Sequence, residues 1–444
     1  MAELVWTDGA SVADAEVSRF LAGDDVVLDR ELFPFDIRAT KAHARGLGRI
    51  GLLTPDEVAA MTTELDALEL SFREGTFVLD ERYEDGHSAI EAHLTAKLGE
   101  TGKRVHTGRS RNDQVQVALR LYVQDRLGQL GGSSIAIADA CLSRAERDGD
   151  IPMPGYTHLQ RAVPSSVGLW LAGFAEAFVD DAGFALSTRD WMATCPLGTG
   201  AGYGVNLPLD REGVARELAL PRLQWNPMYV QNSRGKFELA ALGALLQCLL
   251  DVRRLAWDLS LYTSAEFAFV LLPKTYTTGS SLMPNKKNPD VVELLRAAAA
   301  VTLGAQAEIA SMLSLPSGYH RDLQGTKGPL LRATRHGLSA LALVPRLVRD
   351  FTLDRARMRA AITPEMYSTD RALDLARAGT PFRDAYRAVK GDLDAAPLRT
   401  PEASLSARVS PGGTADLRLL EMRGRLERVR GSLAPDRDPH ASPK

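Results

Sequence analysis

The run of residues 236–264 constrains this chain more than any other part of it. Leu239, Leu242, Leu246, Leu249 and Leu250 recur there at helical spacing, and Leu245, Val252 and Trp257 widen the apolar stripe. Apolar side chains cover so much of the circumference that a single partner face could not bury them. At 1.5 Å per residue such a helix runs roughly 40 Å. Residues 114–148, 164–188, 289–315 and 328–350 carry the same pattern. Long antiparallel helices with broad apolar surface predict a bundle, and association of bundles between subunits. No strand pattern is sustained enough for a large sheet.

Before this block, residues 1–105 alternate short helical patterns with breaks. Residues 36–47 read as a helix carrying His43. Thr54-Pro55-Asp56-Glu57 reads as a capping box, with proline at the first helical position of a helix reaching about Phe72. A loop over 73–84 and a helix over 85–98 follow. Residues 103–113 are polar and irregular, and lead into the long helix that opens near Gln114. Two interruptions punctuate the bundle: 153–164, bracketed by prolines, and the glycine-rich 197–212, a loop with a little strand. Beyond residue 350 shorter helices return, 404–413 is a break, and 417–433 is a last helix. The tail 434–444 lacks periodicity and reads as disordered. The expected domains are an N-terminal helical one over 1–105, a central long-helix bundle over 106–352, and a small C-terminal helical one over 353–444.

Charge narrows the partners. The 53 basic and 56 acidic residues leave a formal net charge of −3, which argues against nucleic acid or an anionic membrane as the main partner. The three cysteines, Cys141, Cys195 and Cys248, are far apart and show neither metal spacing nor a disulfide framework, which fits a reducing cytoplasm. The N-terminus does not read as a signal peptide, and no window reaches the length of a membrane span.

Four polar clusters sit where long helices begin or end. Residues 274–293 bring Thr277-Thr278-Gly279-Ser280-Ser281, then Lys286 and Lys287, then Asn288-Pro289-Asp290. The last triplet reads as a helix start with Asn288 as N-cap, a place suited to an anion or to negative charge that builds up during a reaction. Residues 106–114 gather Arg109, Ser110, Arg111, Asn112 and Asp113 before a helix. This suits a carboxylate, and equally a helix start capped by Asp113. Gly155 to Gln160 put Thr157 and His158 on a constrained turn, a natural place for a general acid or base. Tyr319 to Lys327 offer Tyr319, Gln324 and Lys327 to a charged small molecule. A phosphate-binding glycine fingerprint and a metal set are both missing, so no cofactor and no metal are expected.

Gly279-Ser280-Ser281-Leu282-Met283-Pro284-Asn285-Lys286-Lys287-Asn288-Pro289 resembles the signature loop of the fumarase/aspartase lyase superfamily. The stretches 106–114 and 319–327 resemble those of the argininosuccinate lyase family in particular, and the likeness runs from about residue 30 to 390. It implies an all-α, three-domain lyase fold whose central bundle forms a twenty-helix core in a homotetramer, with each active site shared by three subunits. The implied activity is cleavage of argininosuccinate to arginine and fumarate, a step of arginine biosynthesis, by a cytoplasmic enzyme. Carried over by position, Ser280 and His158 form the acid/base pair, with Thr157 beside the histidine and Glu293 orienting it. Lys286 and Asn288 stabilise the aci-carboxylate intermediate. Ser110, Arg111, Asn112, Tyr319, Gln324 and Lys327 match substrate-binding positions.

Three departures bear on substrate fit. Gly86 stands where the family has a bulky apolar residue, Ser233-Arg234-Gly235-Lys236-Phe237 replaces the usual Ser-Asp-Arg-Asp-Phe, and Tyr386 replaces a histidine. None removes a catalytic group. A sister lyase acting on adenylosuccinate would need a phosphate site, against which residues 319–327 argue. A structural paralogue without activity would not need Ser280, His158, Lys286 and Asn288 together.

Overall fold

The computed structural model describes residues 23–393 and 399–433, together with Val17 and Phe20. The tail 434–444 lies outside them. The chain divides into two compact units: one of residues up to 128 with 187–244 and 302–335, the other of 129–186, 245–301 and 336 onward. Described strands are few and short and pair only two by two. The expected all-α class holds.

In the first unit the helix Asp25–Arg49 starts eleven residues before the expected start at Asp36 and carries Pro34 inside it. A proline there leaves the carbonyl of Arg30 without its helical partner. Burial of Leu32, Phe33 and Ile37, each at most 2% exposed, offsets that loss. This helix packs with Pro55–Arg73 and Gly86–Leu98 around Met61, Leu65, Leu68, Ile90 and Leu94. The capping box stands as expected: Glu57 N–H donates to Thr54 Oγ1 at 3.2 Å, and Thr54 N–H to Glu57 Oε2 at 2.8 Å.

The helix expected from Gln114 begins at Arg111 and runs to Asp148. Its cap is Ser110 rather than Asp113. Ser110 Oγ accepts from Asn112 N–H at 3.3 Å, and Asp113 Oδ1 reaches back to Ser110 N–H at 2.9 Å. Asp113 Oδ2 accepts the N–H groups of Gly198 at 3.0 Å and Gly200 at 2.8 Å. Both glycines have positive φ, which residues with a side chain rarely adopt. One buried carboxylate thus ties the helix start to the glycine-rich loop.

In the second unit the interruption near residue 158 is a β-hairpin, Pro152–Thr157 with Gln160–Ser166. Gly155 is required in it, since a Cβ there would lie 2.8 Å from the carbonyl oxygen of Val163. The long helices Lys236–Tyr262, Asp290–Met312 and Lys327–Asp350 contribute residues to both units. At the C-terminal end of the last, Arg144 donates to the carbonyls of Val348 at 3.0 Å, Arg349 at 3.2 Å and Phe351 at 2.8 Å. Its Nε holds Asp148 Oδ2 at 2.8 Å, and its guanidinium lies 4.4 Å from the Phe351 ring centre. The break expected at 404–413 opens later, because Thr400 caps a helix Pro401–Ser406. Leu419–Leu433 closes the described chain, with Arg423 on Glu146 and Arg425 on Glu176 and Asp180. No described helix is long and apolar enough to cross a membrane.

Candidate active site

The expected site residues divide between the units. Ser110, Arg111, Asn112, Tyr319, Gln324 and Lys327 belong to the first, and Thr157, His158, Ser280, Lys286, Asn288 and Glu293 to the second.

In the second unit Thr278–Gly279 pairs antiparallel with Lys287–Asn288, so residues 280–286 form a closed loop. Tyr276 anchors its base, its hydroxyl donating to Asp350 Oδ2 at 2.8 Å. Within the loop Ser280 Oγ accepts two backbone N–H groups, from Leu282 at 3.2 Å and Met283 at 3.0 Å. Donors aimed at a hydroxyl oxygen favour its anion over its alcohol, and so reduce the cost of a deprotonated serine. Leu282 is 84% exposed and Lys286 is exposed, so the loop faces outward.

Asn288 does not cap the next helix. It precedes a proline, which biases it to extended backbone, and it joins the ladder opposite Thr278. The first helical bond, from Glu293 N–H at 3.1 Å, goes to the carbonyl of Pro289, and the helix runs Asp290–Met312. Asn288 is therefore not occupied with starting a helix. Glu293 stands exposed in the first turn, 3.5 Å from Arg296. Among the described residues no hydrogen bond joins His158 to Ser280 or Glu293.

His158 and Leu159 are the central residues of the two-residue hairpin turn, with φ of 54° and 57°. Such turns call for left-handed backbone at both central positions and usually place Asn-Gly there. Residues with a Cβ hold that conformation at roughly 1–2 kcal/mol each. The tip is exposed, Leu159 at 68%. The register of the hairpin sets this backbone, and it holds His158 out in solvent at the tip.

In the first unit three of the substrate-binding candidates, Arg111, Gln324 and Lys327, are held by acidic side chains. Arg111 lies 3.0 Å from both Glu84 Oε2 and Asp85 Oδ2. Gly86 N–H donates to Asp29 Oδ2 at 2.9 Å, and Lys327 Nζ lies 2.6 Å from Asp29 Oδ1 and 2.9 Å from Asp25 Oδ1. Gln324 Nε2 donates to Asp25 Oδ2. Near Tyr319, the N–H of Gly318 donates to Asn232 Oδ1 at 2.9 Å. Arg109, by contrast, is buried structure: it donates to Thr40 Oγ1 and to the Val105 carbonyl.

The aspartates were missed in the sequence. Asp25, Asp29 and Asp36 recur at four and seven residues, one face of a helix, but the helix was expected to start only at Asp36. The Gly86 departure has a physical account here: a Cβ would press on Phe33 at 3.3 Å and on Asp29 at 3.4 Å.

His87 Nδ1 lies 2.5 Å from Asp36 Oδ2. Burial pulls the imidazole pKa down, but Asp36, Asp85 and Asp29 outweigh it and raise it to about 9. A raised folded-state value stabilises the fold fully below the unfolded value near 6.5, and that contribution is lost as pH climbs through about 9. Its size is roughly 3 kcal/mol. Urea melts at pH 6 and pH 9.5 should accordingly show wild-type protein losing more stability over that interval than His87→Gln. Equal losses would contradict the charged pair.

A family model described as "Lyase" matches residues 20–304. Proteins named argininosuccinate lyase match almost end to end: one from Stenotrophomonas maltophilia (strain R551-3) is 56% identical over 96% of this chain and 99% of its own. One from Xylella fastidiosa (strain 9a5c) is 56% identical over 96% of each. The chain belongs to the argininosuccinate lyase family. Its fold is shared more widely among solved lyases. The crystal structure of EDDS lyase in complex with formate has a TM-score of 0.77 at 23% identity, covering 96% of this chain and 92% of that one. Fumarate lyase from Mesorhizobium sp. BNC1 has 0.69 at 19%, covering 94% and 97%.

Proposed function

We propose that the chain cleaves argininosuccinate to L-arginine and fumarate by acid/base elimination across a C–N bond, without cofactor or metal. Besides the family, the carrying observation is Ser280 Oγ under two backbone N–H donors, which equips it as a base. Ser280 takes the Cβ proton next to a carboxylate, and the electron pair left behind builds an aci-carboxylate. Lys286 and Asn288 stabilise that charge, each such donor contributing on the order of 10²–10³ in rate. The pair then forms the carbon–carbon double bond as the C–N bond breaks. The leaving guanidino nitrogen gains a proton on the side of His158, with Thr157 beside it, and Glu293 orients the imidazole. Ser110, Arg111, Asn112, Tyr319, Gln324 and Lys327 hold the substrate. Closure of the exposed loop over it would exclude water.

The working form is a homotetramer in a cytoplasmic setting, built on a twenty-helix core, with each site shared by three subunits. In the second unit Trp257, Leu294 and Leu343, on three long helices, are 51%, 71% and 47% exposed, apolar side chains suited to burial against other copies. The three expected domains, 1–105, 106–352 and 353–444, are those of that fold. The test is ultraviolet detection of fumarate from purified protein offered argininosuccinate and then adenylosuccinate. Release from the first alone is expected, and release from the second alone would move the chain to a sister activity.

A further inference from the structure

The loop that carries Ser280 grows out of a stem fastened to one helix end. Val270 and Leu271 pair antiparallel with Leu353 and Thr352, just past the helix Lys327–Asp350, and Asp354 N–H donates to the Phe269 carbonyl at 2.9 Å. Arg144 holds the last carbonyls of that same end. Tyr276, four positions before Ser280, is 6% exposed, and its hydroxyl donates to Asp350 Oδ2 at 2.8 Å. Asp350 is the last residue of its helix, where a carboxylate opposes the negative end of the helix dipole. Arg346, one turn earlier, pairs with it at 3.3 Å and offsets part of that cost without any help from Tyr276. Packing of the tyrosine ring would be served as well by phenylalanine, so the hydroxyl is there for the bond. Beyond Tyr276 the fastening is lighter. Thr278 Oγ1 donates to Asp290 Oδ2, the Thr278–Gly279 ladder closes on Lys287–Asn288, and residues 281–287 are exposed.

We propose that Tyr276 is a positioning residue: its bond to Asp350 fixes the stem, confines motion to residues 280–287, and returns Ser280 to one place each time the loop closes. This role rests on the proposed reaction, and neither the sequence motifs nor the family resemblance assigns it to Tyr276. Without the bond the stem swings, and a reacting group displaced by about 1 Å can cost on the order of 10² in rate.

The test compares wild-type protein with Tyr276→Phe, Asp350→Ala and the double variant. Each single change should lower kcat for fumarate release about tenfold, the scale of one hydrogen bond to a charged group, and leave KM within about twofold. The double variant should be no slower than the slower single one, because the first change already removes the bond. Losses that multiply, a Tyr276→Phe kcat within about twofold of wild type, or a KM that rises while kcat holds would each overturn the positioning role. A second readout needs no turnover. Trypsin should cut after Lys286 or Lys287 about tenfold faster in Tyr276→Phe than in wild type, since cleavage follows the population of the opened stem, and equal rates would overturn the anchor. Wild-type protein that releases no fumarate overturns the reaction and this role together, whereas active wild-type protein with an unchanged Tyr276→Phe overturns the role alone.

Discussion

Replacing Ser280 by alanine is expected to lower kcat for fumarate release by roughly 10³ or more, the scale of losing a positioned base and its local charge stabilisation. The backbone donors of Leu282 and Met283 remain, but they then face a methyl group. The side chain removed is small and makes only local bonds in the exposed loop, so the helical circular dichroism and molecular mass should not change. KM should move far less than kcat, since the proton is transferred only in the transition state. Activity within tenfold of wild type would take the base role away from Ser280 and leave His158 as the candidate.

The second large effect is on stability. Arg144 closes the C-terminal end of the Lys327–Asp350 helix, where the last carbonyls have no helical partner. It is 3% exposed and joins three carbonyls to Asp148 and to the face of Phe351. Arg144→Met keeps much of the volume but strands the buried carbonyls and leaves Asp148 without this partner. Asp148 keeps Arg147 at 2.8 Å, so the cost falls on the stranded carbonyls, about 1–3 kcal/mol for each buried group left unsatisfied. Urea denaturation at a fixed protein concentration should show a loss of that order. A loss below about 1 kcal/mol would mean that water replaces the guanidinium, contrary to its burial.

The long helices were legible because apolar periodicity over scores of residues leaves few alternatives, and they begin and end within a few residues of expectation. The capping box at Thr54 was legible because the two reciprocal bonds need only local sequence. Boundaries failed where a local rule met tertiary contact. The first long helix was expected only from Asp36, yet it starts at Asp25, and the burial of Leu32 and Phe33 carries it through Pro34. Asn288 reads as a cap, yet pairing with Thr278 keeps it in a ladder. Among the candidate site residues, those in short motifs could be named from their order alone. The aspartates that hold Lys327 could not, because 298 positions separate it from Asp29 and only the fold brings them together. The turn at His158 was recognised as constrained, but its left-handed backbone is a property of the hairpin register.

The reaction itself is tested most directly by following argininosuccinate with purified wild-type protein by proton NMR. The account predicts that arginine and fumarate appear together in equal amounts as the substrate disappears, without added metal or cofactor. Substrate that stays intact under these conditions, or fumarate that forms without its equivalent of arginine, would contradict it.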